Sequence, residues 1–249
     1  METAWTPKDI EAVQRSVLLG RLPPPIVQTV LNDRAPLAVK KGQVICRQNE
    51  KAICCFVILS GTIKQSRVLA PGATAIISIH KVPQSLMEGD ALDSNFYSTS
   101  AEAVTDARLA CVDASFLRNL IAKDPSVALA MLASASAHLR MLLGQVERLK
   151  TMTATARLAD FILSLIEPGA ATATVSLPYE KKLLAAQLGI TPESFSRTLR
   201  QLHAHGVLVN KSDVQIADVS RLRRLRFTKG IRLRPSSATT ARRRAMHSI

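Results

Sequence analysis

The chain has 249 residues, with 33 Lys plus Arg against 19 Asp plus Glu, a formal charge of +14, and 47% hydrophobic but only 4% aromatic residues. That composition allows one large or two small globular domains with a substantial core, and it excludes a wholly disordered or collagen-like chain. No uncharged apolar run reaches the roughly 18 residues of a membrane span, the first residues lack a basic-then-apolar leader, and the four cysteines are too few for a disulfide scaffold, so the expected setting is cytoplasmic, without a membrane partner.

In chain order, residues 7–19 predict a helix, and Pro23-Pro24-Pro25 starts a second that runs to about Leu31. Residues 37–113 read as short strands rich in Val, Ile, Leu and Ala, with turns at Lys41-Gly42, Ser60-Gly61, Pro71-Gly72 and Glu88-Gly89-Asp90. The spacing of those turns points to a small antiparallel barrel or roll rather than βαβ units.

Past Asp113 the pattern becomes helical: a short helix at residues 115–122, then Asp124-Pro125-Ser126 as the start of a long one. Within the long helix Leu132, Ala135, Leu139, Leu142, Val146 and Leu149 recur at alternating spacings of three and four, with Arg140, Glu147, Arg148 and Lys150 off the seam. This is an a/d heptad pattern, which favours a two-stranded coiled coil between two copies over a helix packed on its own barrel. A further helix is expected over residues 155–166, ended by Glu167-Pro168-Gly169-Ala170, then a β-prone connection at residues 171–178.

The stretch YEKKLLAAQLGITPESFSRTLRQLHAHGVLV, residues 179–209, carries the functional signal. A helix over residues 180–188 stops at Gly189, and Thr191-Pro192-Glu193 opens a second helix with an N-cap, a proline at its first position and an acid in its first turn. This is the grammar of a helix-turn-helix. In the second helix Phe195, Leu199 and Leu202 form the inward face, leaving Glu193, Ser196, Arg197 and Arg200 on one outward stripe at i, i+3, i+4 and i+7. Arg can pair bidentately with guanine O6 and N7, Glu can accept from cytosine N4, and Ser suits either partner. The same spacing also permits a solvated i,i+4 ion pair between Glu193 and Arg197. Thr191, Lys181 and Lys182 are candidates for phosphate contacts, which position a reading helix without specifying sequence. Val207-Leu208-Val209, the turn Asn210-Lys211-Ser212-Asp213 and Val214-Gln215-Ile216 predict a two-stranded wing.

Ten of the basic residues, from Arg221 to Arg244, lie in the last 31 positions, where no acid occurs. Residues 221–227 interleave these with apolar side chains and read as the edge of a folded domain. Residues 229–249 read either as a solvated tail or as a sequence-independent contact with phosphates.

From this order of elements the chain resembles the CRP/FNR superfamily of bacterial transcription regulators over residues 10–225. The resemblance implies an α+β fold: a β-roll like a cyclic-nucleotide-binding domain (residues 1–125 with the N-terminal helices), a dimerisation helix (126–152), a winged helix-turn-helix (153–228) and a basic tail (229–249). Glu193-x-x-Ser196-Arg197 is similar to the FNR-type recognition signature, which implies an inverted repeat of TTGAT half-sites, with Arg197 on guanine, Glu193 on cytosine of the complementary strand and Ser196 near thymine. ITPESFSR is also similar to the DNR/NnrR branch, which implies regulation in nitrogen-oxide metabolism in response to nitric oxide or oxygen limitation. The partners so implied are double-stranded DNA, a second copy of the chain and RNA polymerase.

Departures from the family narrow the signal. No Arg stands between Arg67 and Arg108, so the cationic grip on a cyclic phosphate is missing and cyclic AMP is not expected. The first cysteine is Cys46, and Cys54-Cys55 sit in the apolar run AICCFVIL, where successive strand side chains point to opposite faces, so a four-cysteine iron-sulfur cluster is not expected. Cys46 and Cys111 are likewise in apolar contexts, and an oxidation-sensing role has no support in the sequence. Haem stays open as an alternative, with His80 and His138 as weak candidate ligands. No paired carboxylates, nucleophile-base arrangement, phosphate-cradling loop or metal-ligand cluster points to an enzyme. The rival to a DNA-binding regulator is a small-molecule-binding module whose C-terminal domain contacts protein.

Overall fold

The computed structural model describes residues 4–70, 73–93, 95–178, 180–210 and 212–226. The basic tail expected over residues 229–249, and Phe227, lie outside the described residues. By its internal contacts the chain forms two compact units, Met1–Gln145 with Pro178–Glu193, and Val146–Leu177 with Ser194–Ile249.

The first unit opens with α1 (Pro7–Arg15) and α2 (Pro24–Asp33), both started by prolines, where a missing N–H costs nothing. Thr6 caps α1 in a reciprocal capping box with Asp9. Strands β1 (Leu37–Val39), β2 (Val44–Cys46), β3 (Cys54–Ser60), β4 (Thr62–Ala70), β5 (Ala73–Lys81), β6 (Ser85–Leu86), β7 (Ser100–Ala103) and β8 (Ala107–Asp113) fill the stretch read as strands. They form two four-stranded antiparallel sheets, β1-β8-β3-β6 and β2-β7-β4-β5, the roll that the turn spacing predicts. Gly61, between β3 and β4, has φ +85°, and a Cβ there would stand 2.4 Å from the Asp106 carbonyl oxygen, so that turn requires glycine.

Strand β3 is apolar on both faces because both are covered. Cys54, Phe56 and Ile58 join a cluster with Leu86, Tyr97 and Leu109, while Cys55, Val57 and Leu59 join the one that includes Val13, Leu18, Leu19, Leu117 and Val127. The adjacent cysteines thus point to opposite sides of the sheet.

Two elements of this unit differ from the sequence reading. Helix α1, expected to run to residue 19, ends at Arg15. Glu88-Gly89-Asp90, expected as a turn, begins the short helix α3 (Glu88–Leu92), entered through Met87 in the left-handed region at φ 66°. A left-handed methionine is a tertiary effect that no local pattern announces.

Helix α4 (Ala114–Lys123) is capped by Asp113, and α5 (Pro125–Thr151) follows as one continuous helix. Val127, Ala130, Met131 and Ser134 form its buried face. An 18-residue window of α5 has mean hydropathy 1.5, enough by length and composition to cross a membrane. The buried face, and Arg140 on the same helix, read instead as a helix that packs against protein.

In the second unit, α6 (Ala154–Leu163), β9 (Ala173–Ser176), most of α8 (Pro192–His203), β10 (Val207–Asn210), β11 (Asp213–Ile216) and α9 (Val219–Leu225) follow in order. The two-stranded wing gains a third strand: β9, expected only as a connection, pairs with β11 from Asp213↔Ser176 to Ile216↔Ala173. Helix α9 lies against α6, where Arg226 pairs with Asp160. Helix α7 (Lys181–Gln187) packs against β5 and groups with the first unit, so the division by contacts cuts the chain differently from the boundaries at residues 125, 152 and 228.

Candidate nucleic-acid interface

The turn after α7 is built by its glycine. Gly189 has φ 64°, its N–H donates to the Ala186 carbonyl, and the Ile190 N–H donates to the Ala185 carbonyl. These are the paired bonds of a Schellman stop, and they end the helix where the sequence predicts. Thr191 and Pro192 then start α8. The Glu193 carboxyl is held below the usual carboxylate range by its own backbone N–H and then by the Thr191 side chain. Thr191, read as a phosphate contact, is exposed just before the helix, with its side chain bonded to the Glu193 carboxyl.

Helix α8 separates its two faces as the spacing predicts. Phe195, Leu199 and Leu202 are buried, with Phe195 and Leu202 wholly so, while Glu193, Ser196, Arg197 and Arg200 are exposed. Thr198 is also buried and donates to the Ser194 carbonyl, an inward position the apolar pattern does not reveal. Two residues outside the candidate site set steady the helix. Gln201 accepts a 2.7 Å hydrogen bond from Thr155 of α6, and Arg221 donates to the Ala204 carbonyl just beyond the helix end. Lys181 and Lys182 are exposed at the first turn of α7. The candidate residues Lys181, Lys182, Arg197, Arg200, Ser196 and Glu193 thus present cations, a hydroxyl and a carboxylate outward, a donor and acceptor set that suits base edges and phosphates.

All six seam residues of α5, namely Leu132, Ala135, Leu139, Leu142, Val146 and Leu149, are exposed. Leu129 and Leu143 extend this apolar strip. The strip is distinct from the face that α5 buries in its own chain, so packing on its own roll does not account for the heptad pattern.

His80 and His138 come together, with ring centroids 6.0 Å apart. His80, on β5, is buried. Its Nε2 lies 2.7 Å from Ser78 Oγ and 2.6 Å from Gln65 Oε1, and its Nδ1 has no partner. Burial, and then the neighbouring His138, lower its pKa to about 4. His138 Nδ1 is 3.9 Å from Glu88 Oε1, and Ser134 donates to the same carboxylate oxygen. An axial haem ligand needs a nitrogen facing open space, whereas Nε2 of His80 is held by two neighbours and its Nδ1 is buried, so His80 as placed does not fit that role. At the segment that grips the phosphate in cyclic-nucleotide-binding relatives, Asp90 accepts from Ser98 and Ser100 accepts from the Gln48 N–H. The nearest following arginine, Arg108, is bound to Asp9 and to the Ala4 carbonyl.

Comparison with known proteins agrees with this layout. Residues 36–124 match the cyclic nucleotide-binding domain, and residues 156–225 match the Crp-like helix-turn-helix domain. The nitrogen fixation regulation protein FixK of Azorhizobium caulinodans is 29% identical over 200 residues, covering 76% of this chain and 78% of FixK. A solved structure from Silicibacter pomeroyi DSS-3, assigned as a cAMP-binding regulatory protein, is 32% identical, with 89% of this chain and 99% of that one covered and a TM-score of 0.64. The structure of DNR from Pseudomonas aeruginosa is 28% identical, with 90% and 100% covered and a TM-score of 0.50.

Proposed function

The chain belongs to the CRP/FNR family of DNA-binding transcription regulators, and from that membership we propose that it acts as a homodimer on an inverted repeat of TTGAT-type half-sites. The observation that carries this reading is the sorting of α8, which buries Phe195, Leu199 and Leu202 and exposes Glu193, Ser196, Arg197 and Arg200. In this reading Arg197 donates to guanine O6 and N7, Glu193 accepts from cytosine N4, Ser196 lies near thymine, Arg200 faces the same groove, and Lys181, Lys182 and Thr191 contact phosphates. Two copies joined along the α5 seam would place their reading helices in successive major grooves about 34 Å apart, which is why the site should be palindromic.

The first unit serves as the sensor, and its effector acts by preferring one arrangement of the α5 pair over another. Nitric oxide or oxygen limitation in nitrogen-oxide metabolism is the signal suggested by the resemblance of ITPESFSR to the DNR/NnrR branch. Cyclic AMP is not part of the proposal, because no Lys or Arg lies between Lys81 and Arg108. RNA polymerase in the cytoplasm is the partner that follows for a regulator of this family.

Fluorescence-anisotropy titration at about 0.15 M salt tests the reading, with a duplex of TTGAT, a spacer of about four base pairs and ATCAA set against a scrambled duplex. Preference of about a thousandfold or more is expected. Equal affinity for both duplexes, with and without nitric oxide, would contradict it.

A further inference from the structure

Two of the four cysteines meet across a strand pair. Antiparallel pairing of β3 with β8 sets Cys54 opposite Asp113 and Phe56 opposite Cys111, so Cys54 and Cys111 are diagonal neighbours on one face of the sheet. Their thiols are close enough to perturb each other's ionisation. Arg34, at the end of α2, brings its Nη1 within 3.5 Å of Cys54 Sγ and 3.9 Å of Cys111 Sγ, while its Nη2 holds Asp113 at 3.1 Å. Cys54 is buried and Cys111 half-buried, so Cys111 is the less enclosed residue of the pair.

The chemistry of the two thiols is pushed apart. Interaction with the Cys54 thiol, with Arg34 beside it, lowers the Cys111 pKa, and the same interaction together with burial raises that of Cys54. Burial pushes the Cys46 thiol up to about 12 and that of Cys55 well above its ordinary value. A thiolate is the nucleophile in thiol chemistry, and a neighbouring arginine is a recognised way to favour one.

We propose that Cys111 and Cys54 form a dithiol site that hydroperoxides oxidise reversibly, Cys111 reacting first and Cys54 resolving it. The Cys111 thiolate attacks one oxygen of the hydroperoxide, an S–O bond forms, the O–O bond breaks, and the departing alkoxide or hydroxide takes a proton to leave as alcohol or water. Cys111 is then a sulfenic acid, oxidised by the two electrons the peroxide gained. The Cys54 sulfur next attacks that sulfur; the S–S bond forms, the S–O bond breaks, and the hydroxide leaves as water with the Cys54 proton. Diagonal neighbours start near the outer limit of disulfide reach, so closure draws Cys54 toward β8. Cys54 is the first residue of β3, and its N–H and carbonyl are both bonded to the Tyr97 hydroxyl, which must move with it.

The test uses the full chain exposed to hydrogen peroxide, blocked with iodoacetamide, and mapped by mass spectrometry without reduction. The expected product is one peptide pair joined through Cys54 and Cys111, reversed by dithiothreitol. In Cys54→Ser the reaction should stop at a sulfenic acid on Cys111 that dimedone traps, and in Cys111→Ser neither product should form. Arg34→Met keeps both thiols and should slow oxidation at neutral pH about tenfold, with the alkylation pH profile of Cys111 moving upward. Oxidation spread evenly over the four cysteines, a disulfide that persists in Cys111→Ser, or an unchanged rate and pH profile in Arg34→Met would each overturn the proposal.

Discussion

Helices α5 and α8 each bury one stripe and present another, but what they present differs in kind. Helix α8 presents Glu193, Ser196, Arg197 and Arg200, groups that are at ease in water. Helix α5 presents Leu132, Leu139, Leu142 and Leu149, at 64%, 59%, 41% and 50% exposure, beside Val146. A charged stripe on a helix face is common, so its exposure alone says little; the motif around it and the family carry the argument. An apolar stripe left in water forgoes about 1.5–3 kcal/mol for each large side chain that could be buried, so its exposure by itself calls for a cover. The alternation of threes and fours makes a second copy of the same helix the cover that fits.

The largest expected effect breaks the α5 half of that contrast. Leu139→Glu combined with Leu142→Glu puts like charges into the seam and should turn the dimer into monomer by sedimentation velocity. Operator affinity should fall about a thousandfold, close to 4 kcal/mol. A variant that stays dimeric would place the interface elsewhere.

The buried face of α5 gives the next effect, through pH. His80, facing His138 of α5, which itself lies 3.9 Å from Glu88 of α3, has its pKa lowered from 6.5 to about 4 by burial and then by His138. The folded chain then binds fewer protons there than the unfolded one between those values. Stability from this group is full above pH about 6.5 and is lost as pH falls toward about 4, by roughly 3 kcal/mol. Denaturation midpoints should show this decline, and His80→Gln should remove it; an unchanged pH dependence in that variant would contradict the assignment.

On α8, Arg197→Ala should weaken binding to the TTGAT duplex roughly ten- to a hundredfold and leave the scrambled duplex unaffected. Lys182→Ala should weaken both alike and reduce the salt slope by about one. If the two variants behave the same, the stripe does not read bases. Smallest of all, deleting residues 229–249 should flatten the salt dependence of binding without altering base preference. An unchanged slope would assign the tail no phosphate contact.

Much of this arrangement is legible in the residues because it rests on local rules. Gly61 and Gly189 mark turns that need a positive φ, Asp113 and Thr191 precede helices, and the two periodicities of α5 and α8 separate inner from outer faces. What is not legible depends on partners far along the chain. Strand β9 becomes a strand because β11 pairs with it, and α3 forms beyond a methionine held at φ 66°. The His80 cluster joins β5 to α5, and Arg34 meets sulfurs 20 and 77 positions away. No window of sequence contains those meetings.

If one α5 seam fixes the spacing of two reading helices, helical phasing of the half-sites should expose it. Anisotropy titrations would compare the inverted repeat with a spacer of about four base pairs against one lengthened by about half a turn of DNA, at about 0.15 M salt. The half-turn insertion, which swings the second half-site to the opposite side of the duplex, should lower affinity at least a hundredfold. Equal affinity for the two duplexes would contradict such a seam, because reading heads held by a shared α5 seam could not follow half-sites turned away from each other.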